Sequence, residues 1–113
     1  MNLFYKTAET LKQGAMTLPQ KYYTDYEILN KEMENIFTIS WLCCGRSESI
    51  YESGQYVIVN IGNESIIITR DENNKLHAYY NVCRHRGTRI CTKEEGKFSK
   101  TIQCPYHGWT YDL

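Results

Sequence analysis

The chain has 113 residues, room for a single domain. Its 13 Lys and Arg balance 13 Asp and Glu, and a net charge of zero argues against a general nucleic-acid binder, which carries a basic surplus. At 42% hydrophobic and 23% charged residues the composition is that of a folded globular chain. No purely aliphatic run exceeds three residues, far too short for a bilayer. The N-terminus, MNLFYKTAETLKQ, carries Glu9 and Lys12 where a secretory signal needs an apolar core. The expectation is a cytoplasmic protein with no membrane association.

In chain order, residues 1–20 offer Leu3, Phe4 and Leu11 for one side of a short helix, but Gly14 and Pro19 interrupt anything longer. This stretch is expected to be an arm that packs on something else. Thr24-Asp25-Tyr26-Glu27 has the form of a capping box, and Asp25 and Glu27 suit the positive end of a helix dipole. Tyr26, Leu29, Met33 and Ile36 follow at near-helical spacing, so a helix over about 24–35 is predicted, its stripe serving as core packing.

Beyond Ile36 the pattern becomes that of strands. Phe37 to Trp41 alternates with period two, and Tyr56–Asn60 and Ser65–Arg70 are rich in β-branched residues. Gly62-Asn63 between them signals a hairpin. Asp71 to Lys75 reads as a polar turn, Leu76 to Asn81 as another strand, and Lys93–Lys100 as a turn. Short strands joined by tight polar turns predict a small, mainly antiparallel β-domain behind one helix.

Five cysteines raise the question of disulfides. The odd count and the missing export signal argue for a reducing compartment instead. Two of the five sit near histidines: Cys83-Arg84-His85-Arg86-Gly87 and Cys104-Pro105-Tyr106-His107-Gly108-Trp109, with eighteen residues between His85 and Cys104. Each half offers one thiolate and one imidazole, follows a predicted strand, and carries a glycine just past the histidine. Two loops facing each other across a metal fit that pattern. Buried structural Cys and His are a poor account of two such compact pairs. Common structural zinc sites pair cysteines in one knuckle and histidines in another, or repeat Cys-x-x-Cys, which differs from mixed pairs in both halves. Cys–His catalysis gives no reason for two copies.

The two boxes resemble the cluster-binding motifs of Rieske ring-hydroxylating oxygenases. Leu18-Pro19, Tyr22-Tyr23-Thr24-Asp25, Ile36-Phe37 through Trp41, Gly45-Arg46, Gly54-Gln55-Tyr56, Ile61-Gly62 and Asn81-Val82-Cys83 are similar to the front end of their alpha subunits, so the resemblance covers residues 18–113. It implies a [2Fe–2S] cluster with Cys83 and Cys104 on one iron and His85 and His107 on the other. With two neutral imidazoles the oxidised core sums to zero charge and one electron takes it to −1. An all-cysteine cluster runs from −2 to −3, so the Rieske centre is easier to reduce. Arg84, Arg86 and Trp109 are expected around the cluster. Arginines 84, 86 and 89 on one loop commonly form just a solvated face. Respiratory Rieske proteins carry a disulfide between the loops, but Thr88 and Tyr106 stand in those places here. No bridge is therefore expected, Cys91 has no evident mate, and Cys43 and Cys44 are expected to be buried thiols closing the first strand.

The resemblance further implies an arm and helix over 1–35 and an incomplete Rieske-type antiparallel β-domain over 36–113. The spacing between the boxes is about one residue longer than the family leads one to expect. Family members continue past the second box with strands that finish the domain and then with a catalytic domain. There a mononuclear Fe(II) sits on two histidines and a carboxylate, fed by a reductase or ferredoxin, commonly in a homotrimer. Of the three histidines here two belong to the boxes, and His77 reads as a sheet residue. The chain alone is thus expected not to hydroxylate a substrate, and to be less stable than a complete domain. A stand-alone Rieske ferredoxin and a structural zinc module are the alternatives.

Overall fold

The computed structural model describes residues 13, 14 and 16–113. The expected packing of Leu3, Phe4 and Leu11 lies outside them. A single helical turn, α1 (Lys21–Thr24), precedes α2 (Tyr26–Glu32), and a π-helical turn over Met33–Phe37 extends α2. The cap differs from the expected one. Thr24 belongs to the preceding turn and donates its hydroxyl to the Gln20 carbonyl, while the Asp25 carboxylate accepts from the Glu27 amide at 2.9 Å. Asp25 is extended (φ −92°, ψ 123°), as an N-cap must be.

The helix runs on to Phe37 because the Thr38 amide bonds the Met33 carbonyl, five residues back. Asn35 and Thr38 side chains also bond carbonyls four residues earlier, which competes with the regular ladder and widens it. The strand expected over 37–41 therefore does not form. Phe37 is spent in the helical turn, and Ile39 and Trp41 project into solvent with no neighbouring strand among the described residues. Nor is the α2 stripe core: Tyr26, Leu29 and Ile36 are all exposed. Cys43 is exposed and Cys44 half-buried, a second departure from expectation.

A short 3-10 turn over Ser47–Ile50 leads into the main sheet. Its strands are β1 (Gln55–Ile61), β2 (Glu64–Arg70), β3 (Leu76–Tyr80) and β4 (Glu95–Lys97), in the spatial order β3-β2-β1-β4. Gly62-Asn63 closes β1 on β2 in the register Ile61 to Glu64, as the hairpin signal predicts. Between β2 and β3 the Asp71 carboxylate accepts from the amides of Asn73 and Lys75.

β4 stands where a turn was expected. It pairs with β1 at its edge, and Gly96 makes this possible: a Cβ there would meet the Tyr56 ring at 2.7–2.8 Å. Tyr56 in turn stacks on Phe98 at 4.4 Å and joins Ile67 and Cys91 in the core, with Ile58 and Ile90 packed against them. The remaining strands, β5 (Thr101–Gln103) and β6 (Thr110–Asp112), form a separate antiparallel hairpin. Among the described residues no helix is long and apolar enough to cross a membrane.

Candidate metal centre

The first box follows β3 and the second fills the bend between β5 and β6. Their backbones close in the same way. The Cys83 amide bonds the Thr88 carbonyl at 2.8 Å and the Gly87 amide bonds the Cys83 carbonyl at 2.9 Å. In the second box the Cys104 amide bonds Trp109 at 2.8 Å and the Gly108 amide bonds Cys104 at 3.1 Å. Each loop turns through a glycine four residues after its cysteine, at φ 72° and 74°, a conformation that costs any other residue about 1–2 kcal/mol. This is why glycine occupies the same place in two otherwise different boxes.

The donors are sorted by depth. Cys83 and Cys104 are buried, at 2% and 3% exposure, whereas His85 and His107 lie at the surface. The two imidazole rings sit side by side, centroids 4.9 Å apart and inclined at 70°. Trp109 stacks flat on His85 at 4.9 Å and Tyr106 leans on His107 at 3.7 Å, which fixes both rings. Of the residues expected around the site, Trp109 touches a histidine ring, and Arg84 contributes its backbone amide. The side chains of Arg84, Arg86 and Arg89 are exposed.

Two supporting residues were not anticipated. Asn81 is buried at the end of β3. Its side chain donates to the Cys91 carbonyl at 2.8 Å and to the Ser65 hydroxyl at 3.2 Å, and accepts from the amides of Ile90 and Cys91. It thereby pins both ends of the first loop to the sheet. The signal was a polar residue at the end of a strand, two positions before a box cysteine.

Tyr111, on β6, spans the two halves. Its hydroxyl accepts from the Arg84 amide at 3.1 Å and lies 3.0 Å from the Cys83 sulfur. Because the oxygen already accepts from an amide, its own proton is free to be donated to the sulfur. That hydrogen bond is the largest influence holding the Cys83 thiol below its ordinary value. Burial opposes it, and the His85 amide, the neighbouring Cys104 and the Arg86 amide assist. The same contact, with burial, raises Tyr111.

Outside the site, Cys91 faces Tyr56 in the core, and burial pushes its thiol up. All five cysteines are free. His77 is a half-buried residue of β3, as expected, and its Nε2 meets the Asp71 carboxylate at 2.8 Å.

The donor set fits a two-iron cluster. Two buried thiols neighbour one another, and two surface imidazoles pair with one another. A [2Fe–2S] centre of mixed ligation would take two thiolates and two imidazoles, the donors these loops present.

Residues 40–113 match the Rieske [2Fe-2S] domain family. Over 109 residues the chain is 45% identical to the glycine betaine monooxygenase oxygenase subunit of Chromohalobacter salexigens, covering 95% of this chain and 24% of that protein. It is 35% identical over 105 residues to the biphenyl 2,3-dioxygenase subunit alpha of Rhodococcus jostii, covering 93% and 23%. In structure it is similar to a quaternary ammonium Rieske monooxygenase, described in connection with carnitine oxidation by gut microbiota and inter-subunit electron transfer. The TM-score is 0.81 at 36% identity, over 88% of this chain and 27% of that one. The chain thus spans about a quarter of the length of these relatives. Paired loops, buried thiols, surface imidazoles and the match over 40–113 agree: the chain belongs to the Rieske [2Fe–2S] domain family, whose centres transfer single electrons.

Proposed function

We propose that Cys83 and Cys104 hold one iron of the cluster and His85 and His107 the other, and that this chain is the electron-transfer portion of an oxygenase subunit. When bound, the cluster supplies a site that takes up and releases one electron at a time. Two loops of the same backbone form, presenting paired buried thiols and paired surface imidazoles, carry this reading. The two sulfurs are shielded from water, and Tyr111 donates to one of them. The outer edges of His85 and His107 stay at the surface, where another redox group can approach.

On the same reading, residues 1–35 serve as the lead-in and 36–113 as the Rieske domain. Electrons arrive from a reductase or ferredoxin and pass to a mononuclear iron held outside this chain, across a subunit boundary in a homotrimer. The substrate class is a quaternary ammonium compound, since identity is higher to the betaine enzyme than to the biphenyl enzyme. The odd number of cysteines suits a cytoplasmic setting.

Anaerobic purification of the chain, with iron, sulfide and zinc analysis and electron paramagnetic resonance after reduction, tests the assignment. Equimolar iron and sulfide with a rhombic signal of average g below the free-electron value are expected. Stoichiometric zinc and a silent spectrum overturn it.

A further inference from the structure

We propose that Met33, Cys43 and Cys44 form a binding site for a soft monovalent metal ion, Cu(I), in a groove between the lead-in and the β1–β2 hairpin. The site is separate from the two cluster loops and does not rest on their reading.

The cluster loops hold two of the five cysteines, and Cys91 lies in the core. The other two are neighbours in the chain, Cys43 exposed and Cys44 half-buried, so solvent reaches both. Both line a groove of about 430 Å³ whose walls include Leu29, Phe37 and Ile61. Met33, the first residue of the π-helical turn, lines the same groove, so three sulfur-bearing side chains share it. The thioether methyl of Met33 lies over the β1–β2 turn, where a Cβ at Gly62 would meet it at 2.7 Å. Glycine at that turn thus seats the methionine as well as closing the hairpin. π-helical turns are rare and recur at functional sites.

The donor set decides the ion. No carboxylate and no imidazole lines the groove. Calcium and magnesium therefore find no charged oxygen, and zinc finds two of the four donors of a closed site. Thiolate and thioether together are the ligands that select Cu(I). Consecutive Cα atoms across a trans peptide stand about 3.8 Å apart, closer than the roughly 4.4–6.8 Å of ordinary disulfides, so the pair is badly spaced for a bridge. It remains two thiols. Once one sulfur holds the ion, the other is tethered beside it at high effective concentration. Each thiol gives its proton to solvent as its sulfur binds. No electron moves, and the copper stays Cu(I). The apolar walls limit the access of competing water.

The full chain, as purified without air, is titrated with Cu(I) supplied as its acetonitrile complex, against a chromophoric Cu(I) chelator. The parent is expected to hold one more Cu(I) than C43S/C44S, with its starting iron content unchanged. M33L should keep that ion but bind it roughly tenfold more weakly. Copper-edge X-ray absorption of the parent should show sulfur alone around the ion. Zn(II), titrated in the same way, should not distinguish the parent from C43S/C44S. Circular dichroism checks the fold of each variant. Should C43S/C44S unfold, the M33L affinity and the absorption spectrum decide.

Equal copper retention by the parent and a folded C43S/C44S overturns the proposal. So does nitrogen around the copper together with released iron, which places the ion in the cluster loops. An M33L affinity equal to the parent's removes the methionine and with it the three-sulfur site. Zinc binding that also falls in C43S/C44S makes the pair a general thiol trap and overturns the choice of ion.

Discussion

The two ends of this small protein obey different rules. At the cluster end every turn is closed by hydrogen bonds spanning four or five residues, and the thiols are buried. In the lead-in from Leu18 to Trp41, large apolar side chains stand in solvent, with Trp41 fully exposed and Ile39 at 75%. The first region carries its own structural instructions. The second carries a hydrophobic pattern, and such a pattern describes burial only where a partner surface exists. Exposed apolar patches of this kind mark interaction sites.

Paired substitutions give the largest contrast. Cys104→Ser removes a buried sulfur donor and is expected to abolish iron retention and visible absorbance. Trp41→Ala, in the same preparation, should leave iron content unchanged and stability within about 0.5 kcal/mol. Loss of iron in the tryptophan variant would mean that the lead-in helps to build the metal site, and the division between the two ends would fail.

Asn81→Ala probes how the first loop is anchored. The substitution leaves the amides of Ile90 and Cys91 and the Cys91 carbonyl without their buried partner. A loss of about 2–4 kcal/mol in chemical denaturation is expected. A loss below about 0.5 kcal/mol would show that the loop's own hydrogen bonds suffice. Either way the cost is to be compared with Asn35→Ala, whose side chain bonds one carbonyl on the exposed lead-in helix and should matter far less.

Tyr111→Phe sharpens the picture inside the cluster end. The hydroxyl donates to a sulfur that becomes more negative on reduction, so its loss should disfavour the reduced state. One hydrogen bond to a charged group, worth about 1–2 kcal/mol in difference, corresponds to a potential lower by about 40–90 mV. Protein-film voltammetry reads this directly. An unchanged potential would reduce Tyr111 to a clip that holds the Arg84 amide.

The same contrast decides what was legible in the sequence. The β1–β2 hairpin and the Asp71 turn depend on residues close together in the chain, and each stands where the sequence put it. What went unread depends on distant partners. Tyr111 acts 28 residues from Cys83, and Asn81 acts on Ser65 and Cys91, so neither role is visible in local spacing. β4 owes its pairing to the lack of a side chain at Gly96 under Tyr56, forty residues earlier. The expected strand over 37–41 failed for the opposite reason. Its alternation was correct as a pattern, but side-chain hydrogen bonds from Asn35 and Thr38 prolonged the helix, and among the described residues no strand lies beside it.

The smallest effect concerns a turn held by charge, in contrast with cluster loops held by main-chain bonds. The Asp71 carboxyl lies below its ordinary value, chiefly through His77 and then through the amides of Lys75 and Asn73. A depressed carboxylate contributes stability above its unfolded value, about pH 4, and loses it as pH falls through the folded value. Asp71→Asn keeps an acceptor oxygen for the turn but cannot titrate. The parent should therefore be the more stable at neutral pH, and its advantage should fade below about pH 4. Because His77 is one-third exposed, solvent screens the pair and keeps the effect modest. Denaturation midpoints of both proteins across pH measure it. A parent advantage that stays constant into acid would mean that the turn is held by shape alone, as the cluster loops are.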